Sequence, residues 1–136
     1  NDNMGNHVAL ELKNQLKKKN IKINEAKILI MGLTFKENCA DIRNSGIQSV
    51  IEKLKSFNCK LDLYDPWVDK DEIKETYNVF PQSKLHQNKY DGIIIAVAHK
   101  KFKEMGINAI SNLCKKNHII YDLKYLFKKS QTSIRL

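Results

Sequence analysis

Lys36 and Arg43 share one short segment, Gly32–Ser45, which reads GLTFKENCADIRNS. Arginine grips a phosphate with two parallel N–H bonds, and lysine supplies a mobile point charge. Ser45 is a good N-cap and predicts a helix opening directly beside the two cations. A helix N-terminus with fixed cations around it is an anion site in principle. The segment lacks the GxGxxG cradle that lets a backbone press against a pyrophosphate, since Gly32 stands alone. On residue types alone, phosphate binding and ordinary solvated loop charge remain equal alternatives.

Other reactive types are weaker signals. Cys39 lies in the same loop, where both cations could depress its pKa; a nucleophile and a passive loop cysteine are the alternatives. Cys59 and Cys114 read as ordinary buried residues. His99 follows the most apolar run of the chain and reads as a structural or domain-contact residue, with ligand contact as the alternative. Asp65 occupies the place of a Rossmann ribose-binding acid but stands well past the usual ~20-residue spacing. A turn-forming Asp before Pro66 accounts for it better. Asp41 is expected to order its loop by accepting from nearby N–H groups or Arg43, and Trp67 to anchor the Asp65-Pro66 corner. His7, His86 and His118 show no metal-ligand spacing.

The elements that position these residues follow from hydrophobic periodicity. Met4, Val8, Leu12 and Leu16 form one stripe of an amphipathic helix over 4–19, with Lys17–Lys19 in its last turn. Lys27–Leu33 is apolar nearly throughout, as a parallel strand buried on both faces should be. A helix is expected from Gly46 to about Phe57, carried by Ile47, Val50, Ile51 and Leu54. Lys60–Tyr64 alternates as a strand, and Asp69–Tyr77 is a short polar helix. Val79-Phe80 is expected as a minor strand, and Ser83–Gln87 as one helical turn. Gly92–Val97 is the central strand, Phe102–Cys114 a helix broken near Gly106, and His118–Tyr121 the last strand, with Leu123–Phe127 a turn or short helix.

Strands alternating with helices predict an α/β fold: a Rossmann-like three-layer domain with a mostly parallel sheet, preceded by an N-terminal helix. Such sheets bind ligands beyond the carboxyl ends of their strands, where strand order reverses. The functional edge is therefore expected at Thr34–Ser45 and Ala98–Lys101.

Bulk properties narrow the classes. With 136 residues, 42% hydrophobic and 29% charged, the chain is ordinary for one globular domain, and neither disorder nor membrane residence is favoured. No apolar run approaches the ~20 residues of a membrane helix. The first residues, NDNMGNHVALELK, lack a signal-peptide core, and a chain beginning at Asn1 is expected to be a fragment. Three scattered cysteines predict neither a disulfide framework nor zinc, and suggest a reducing, cytoplasmic compartment. The net charge of +9 is spread along the sequence and is best read as a solvated face, with attraction of small polyanions such as nucleotide phosphates as the next alternative. It offers no aromatic-plus-basic stripe for nucleic acid.

The Gly32–Ser45 run closely resembles the opening signature, GLxFKxxxxDxRxS, of the C-terminal domain of the UDP-glucose/GDP-mannose dehydrogenase family. Gly32, Phe35, Lys36, Asp41, Arg43 and Ser45 match it. Asp65-Pro66 resembles the family's YDP turn, and Asp91 with Ala96–His99 its fourth-strand region. Tyr121-Asp122-Leu123-Lys124 resembles its closing motif. Asn1–Met4 resembles the end of the helix that links this domain to the central one. The implied division is residues 1–24 as the end of that linker helix and 25–136 as the C-terminal domain. The resemblance implies an NAD-dependent oxidation of a UDP-sugar at C6 to a uronic acid, with the spelling KENCADIRNS pointing to UDP-N-acetylhexosamines for surface polysaccharides. Phe35, Lys36 and Lys124 would then contact the UDP-sugar, and Arg43 would reach the NAD pyrophosphate. The same resemblance puts the nucleophile elsewhere, which favours the passive reading of Cys39. The implied partners are the UDP-sugar, the remainder of the polypeptide and, at full length, a second copy in a homodimer. No catalytic cysteine segment or GxGxxG fingerprint is present, so the chain alone is expected to be inactive. A free-standing Rossmann-like nucleotide-binding or regulatory module without catalysis remains the alternative.

Overall fold

Helices α1 (Asp2–Lys18), α2 (Ile47–Ser56), α3 (Lys70–Tyr77) and α4 (Lys100–Ser111) alternate with strands in the computed structural model, which describes residues 2–43 and 45–136, Asp2 by its backbone alone. The strands are β1 (Lys27–Met31), β2 (Lys60–Tyr64), β3 (Tyr90–Ile95), β4 (Cys114–Asp122) and β5 (Ile134–Arg135). They form one sheet in the order β2-β1-β3-β4-β5, and every pairing is parallel. Strand order reverses between β1 and β3. The loops leaving those two strands therefore flank the crevice that open α/β sheets offer to ligands.

Successive residues of a strand point to opposite faces, and both faces here are covered. Ile28, Ile30, Ile94 and Tyr121 pack with Val8, Leu12, Leu16, Val50 and Leu54, on the side of α1 and α2. Leu29, Met31, Ile93 and Ile95 pack with Phe102 and Ile110 of α4 on the other. Each fully buried aliphatic contributes about 1.5–3 kcal/mol relative to exposure, which explains why the central strands carry almost no polar residue. Three members of the anticipated helical stripe, Val8, Leu12 and Leu16, are completely inaccessible. Helix α1 lies against α2 at Gly5, where a Cβ would collide with the Ser49 side chain.

Several expectations fail at element ends. Ser45 does not cap α2: Gly46 takes the N-cap position with φ 76° and supplies no side-chain cap bond. The Ser45 hydroxyl lies instead 3.5 Å from the Tyr77 hydroxyl. Val79 and Phe80 are not a strand; Pro81 makes an isolated parallel bridge to Leu63. Residues 83–87 are not helical. Cys114 begins β4 rather than ending a helix, and β4 is not last, because β5 pairs with its final residues Tyr121 and Asp122. The anticipated break in α4 is present, with Gly106 at φ 81° and ψ 160°. Asn1 lies outside the described residues.

Candidate functional site

The carboxyl edge is built around the exit of β1. Gly32 turns the chain there with φ 99°, and a Cβ on it would stand 2.7 Å from Val97 Cβ, so only glycine lets the two strand exits approach so closely. Strands β2 and β3 flank β1, and each sends a polar residue over its end. Asp65, which follows β2, accepts the Leu33 N–H at 2.7 Å through Oδ2 and the Trp67 N–H at 2.9 Å through Oδ1. His99, which follows the β3 exit, places Nε2 3.0 Å from the same Oδ2. Neither the Asp65 nor the His99 side chain is exposed.

The ring's other nitrogen fixes its tautomer. His99 Nδ1 accepts the Asn38 N–H at 2.9 Å and so carries no proton. The Nε2–H is therefore the donor to Asp65, and the imidazole is neutral. The Asn38 Oδ1 in turn accepts the N–H of Lys100, the first residue of α4, at 2.9 Å. Asn38 adopts φ 58°, a left-handed conformation that asparagine tolerates better than most residues. Thr34 Oγ1 donates to the Lys36 carbonyl at 2.8 Å, and the Phe35 N–H donates to the Asp41 carbonyl at 2.9 Å, closing the loop on itself.

On this folded loop Phe35 is 60% exposed, and Lys36 is exposed, its ammonium making no hydrogen bond or ion pair among the described residues. Arg43 is also exposed but engaged. Its Nε and one terminal nitrogen donate to the two Asp41 oxygens at 3.0 and 3.1 Å, and its backbone N–H donates to the same carboxylate. The guanidinium's hydrogen bonds hold the Asp41 carboxyl below its ordinary pKa, and the carboxylate raises that of Arg43. Asp41 orders its loop as anticipated. Trp67, expected as a partly buried anchor of its corner, is 46% exposed, with its backbone N–H held by Asp65 and its ring 6.3 Å from that of His99.

Lys124 arrives by a separate device. Asp122, fully buried at the end of β4, accepts the N–H groups of Lys124 and Leu126 through Oδ1 and of Phe127 through Oδ2, at 3.0–3.1 Å. That single carboxylate sets the course of residues 123–127. Lys124 lines a cleft of ≈ 40 Å³ with Thr34, Ser45, Ala96 and Val97, so the loops leaving β1, β3 and β4 do meet. Phe35, Lys36 and Arg43 lie outside that cleft. Drug-sized ligands occupy pockets of ~300–1,000 Å³, so this cleft by itself is too small to enclose one. Larger grooves of ≈ 530 and ≈ 570 Å³ lie at the end of α1 and between α1 and the β5 edge.

The buried pair Asp65–His99, its partner Asn38 and the organising role of Asp122 escape a reading of the sequence. The available signal is positional: a polar residue just past each of two strands that flank a third will converge over the middle strand's end. Cys59 and Cys114 are held as thiols by burial, with pKa values pushed up to about 11 and about 12. Among the described residues no group of three or more His, Cys, Asp or Glu is placed to hold a metal, and no helix is long and apolar enough to cross a membrane.

Comparison with known proteins adds to this geometry. A family model described as the UDP-glucose/GDP-mannose dehydrogenase family, UDP binding domain, matches residues 29–129. The chain is 45% identical, over its whole length, to a UDP-N-acetyl-D-glucosamine 6-dehydrogenase of Salmonella typhi, and 41% identical to one of Pseudomonas aeruginosa. It spans 32% of the length of each. A solved UDP-D-ManNAc dehydrogenase of Pyrococcus horikoshii superposes on 95% of the chain, using 29% of its own, with TM-score 0.74 and 26% identity.

Proposed function

Because the chain belongs to the UDP-glucose/GDP-mannose dehydrogenase family, as its UDP-binding domain, we propose that it is the nucleotide-sugar-gripping part of an NAD-dependent UDP-N-acetylhexosamine 6-dehydrogenase. The whole enzyme would oxidise the sugar C6 alcohol to the uronic acid, in the cytoplasm, for surface polysaccharides. The observation that carries this reading is the family match over a carboxyl edge where the loops leaving β1, β3 and β4 meet. Identity of 45% and 41% to two UDP-N-acetyl-D-glucosamine 6-dehydrogenases favours an N-acetylhexosamine over glucose.

In this proposal Lys36 and Lys124 neutralise the diphosphate, and the exposed Phe35 ring covers the uridine or sugar. Exposed lysines on an open platform suit a mobile polyanion, because they lose little hydration until a second surface closes over the ligand. The small cleft fits a half-site completed by the remainder of the polypeptide. Residues 1–24 would continue the linker from that remainder, and residues 25–136 form the binding domain. The full-length protein would work as a homodimer.

NAD, when bound, would accept the hydride. The residues here do not form its main site: the loop leaving β1 carries Phe35, Lys36 and Arg43 where a dinucleotide fold has its glycine cradle. Arg43 alone is offered, its exposed guanidinium pre-oriented by Asp41 to meet the pyrophosphate. The test is calorimetric titration of UDP into this chain and into its Lys36→Ala variant. Weak binding that the substitution reduces supports the proposal; equal heats in both would refute the role of Lys36, and no heat in either would refute independent binding by this domain.

A further inference from the structure

We propose that His99 is a positioning residue: its Nδ1 clasps the Asn38 amide and so fixes the loop that presents Phe35 and Lys36. This rests on the reading of that loop as the nucleotide-sugar platform. The clasp itself involves no ligand.

The loop has few other holds. Among the described residues, the hydrogen bonds tying residues 35–43 to another element both run through Asn38: its N–H to His99 Nδ1 and its Oδ1 from the Lys100 N–H. The remaining bonds, Thr34 to the Lys36 carbonyl, Phe35 to the Asp41 carbonyl and Arg43 to Asp41, are internal to 34–43, and at the loop's start Thr34 Oγ1 also lies 3.4 Å from His99 Nε2. Buried Ile42 adds an apolar contact near the loop's far end. The Lys36 ammonium makes no polar contact among the described residues and Phe35 is largely exposed, so both side chains inherit their places from the backbone. That backbone is pinned at one left-handed asparagine, next to the residues it serves.

The clasp is also directional. Nδ1 accepts the Asn38 N–H, which leaves the ring proton on Nε2, the nitrogen that faces Asp65. Asp65 is itself immobilised by the Leu33 and Trp67 amides. The positions of the β2 and β3 exits are thereby imposed on the loop leaving β1, through one inaccessible ring that touches neither of the exposed side chains it serves. A merely space-filling aromatic would need neither polarity.

Two substitutions separate the ring's functions. Asparagine at 99 retains an acceptor near the place of Nδ1 but does not reach Asp65. Glutamine reaches Asp65 with a donor but has no acceptor at Nδ1. His99→Gln is expected to speed Asn38 amide exchange about tenfold, as loss of one hydrogen bond predicts, and to weaken UDP binding while keeping most of the urea midpoint. His99→Asn is expected to keep Asn38 protection and UDP affinity closer to the parent despite a lower midpoint. In the unsubstituted chain, imidazole 15N shifts should show Nε2 protonated and Nδ1 bare, a readout that needs no variant to fold. A proton on Nδ1, or unchanged Asn38 exchange in His99→Gln, would overturn the proposal. So would UDP affinity that simply follows the urea midpoint in both variants. Should the unsubstituted chain bind no UDP, the ligand assignment fails, while exchange and 15N shifts still decide whether the clasp exists.

Discussion

His99 Nε2 lies 3.0 Å from Asp65 Oδ2, with both side chains shut off from solvent, and this pair joins the exits of two strands that are not neighbours in the sheet. A buried carboxylate must be met by donors, and three N–H groups supply them here. Asp65→Ala would leave the Leu33 amide and the imidazole N–H buried and unmatched. The expected cost is about 3 kcal/mol, measured as a lower urea midpoint with an unchanged m-value.

Asp122→Ala should act more locally. Removing the acceptor of three amides frees residues 123–127 and with them the backbone of Lys124. A loss of about 2–3 kcal/mol is expected. Faster exchange of the Leu126 and Phe127 amides should accompany it, with the Asn38 amide unaffected. Equal loosening of both loops would show that they are not independently held.

Gly32→Ala combines strain with collision. An alanine at φ 99° must also place its Cβ against Val97, and a penalty of at least about 2 kcal/mol is expected. Gly106→Ala meets no atom within 4 Å, although it too has positive φ, at 81°. The difference between the two unfolding midpoints therefore isolates the packing contribution.

Alkaline pH should weaken the fold. Burial raises the pKa of Cys59 from 9.0 to about 11 and of Cys114 to about 12. Burial also raises those of Tyr77, Tyr90 and Tyr121. Each group in the unfolded chain gives up its proton first, so the native state binds more protons and stability falls as pH climbs past about 9. The urea midpoint should decline between pH 8 and pH 10.5. Under native conditions at pH 8, a thiol reagent should modify Cys39 ahead of the other two cysteines, which should react fully only after unfolding.

The central strands were legible because burial on both faces leaves an unmistakable apolar run in Lys27–Met31 and Tyr90–Ile95. So was α1, whose stripe must face a core. The first half of β4 was not, because Lys115, Lys116 and Asn117 are exposed and carry no period. Two-residue β5 is too short to have one. Ser45 misled because capping depends on backbone angle as well as residue type, and Gly46 holds that angle. Lys36 and Arg43 were singled out from residue chemistry and resemblance, and Lys124 from resemblance. The Asp65–His99–Asn38 chain was hidden because its members are brought together only by strand order, which no local pattern encodes.

Helix α1 gives the domain a handle. Val8, Ala9, Leu12 and Leu16 are sealed against the sheet, and Gly5 sits flush on α2. A rod of 17 residues, about 25 Å long, is thus welded to the layer whose carboxyl edge carries the loops of Lys36 and Lys124. Force applied along it would swing the whole platform as a rigid paddle. Any hinge must then lie outside this contact, and the geometry of the cationic rim would survive the stroke.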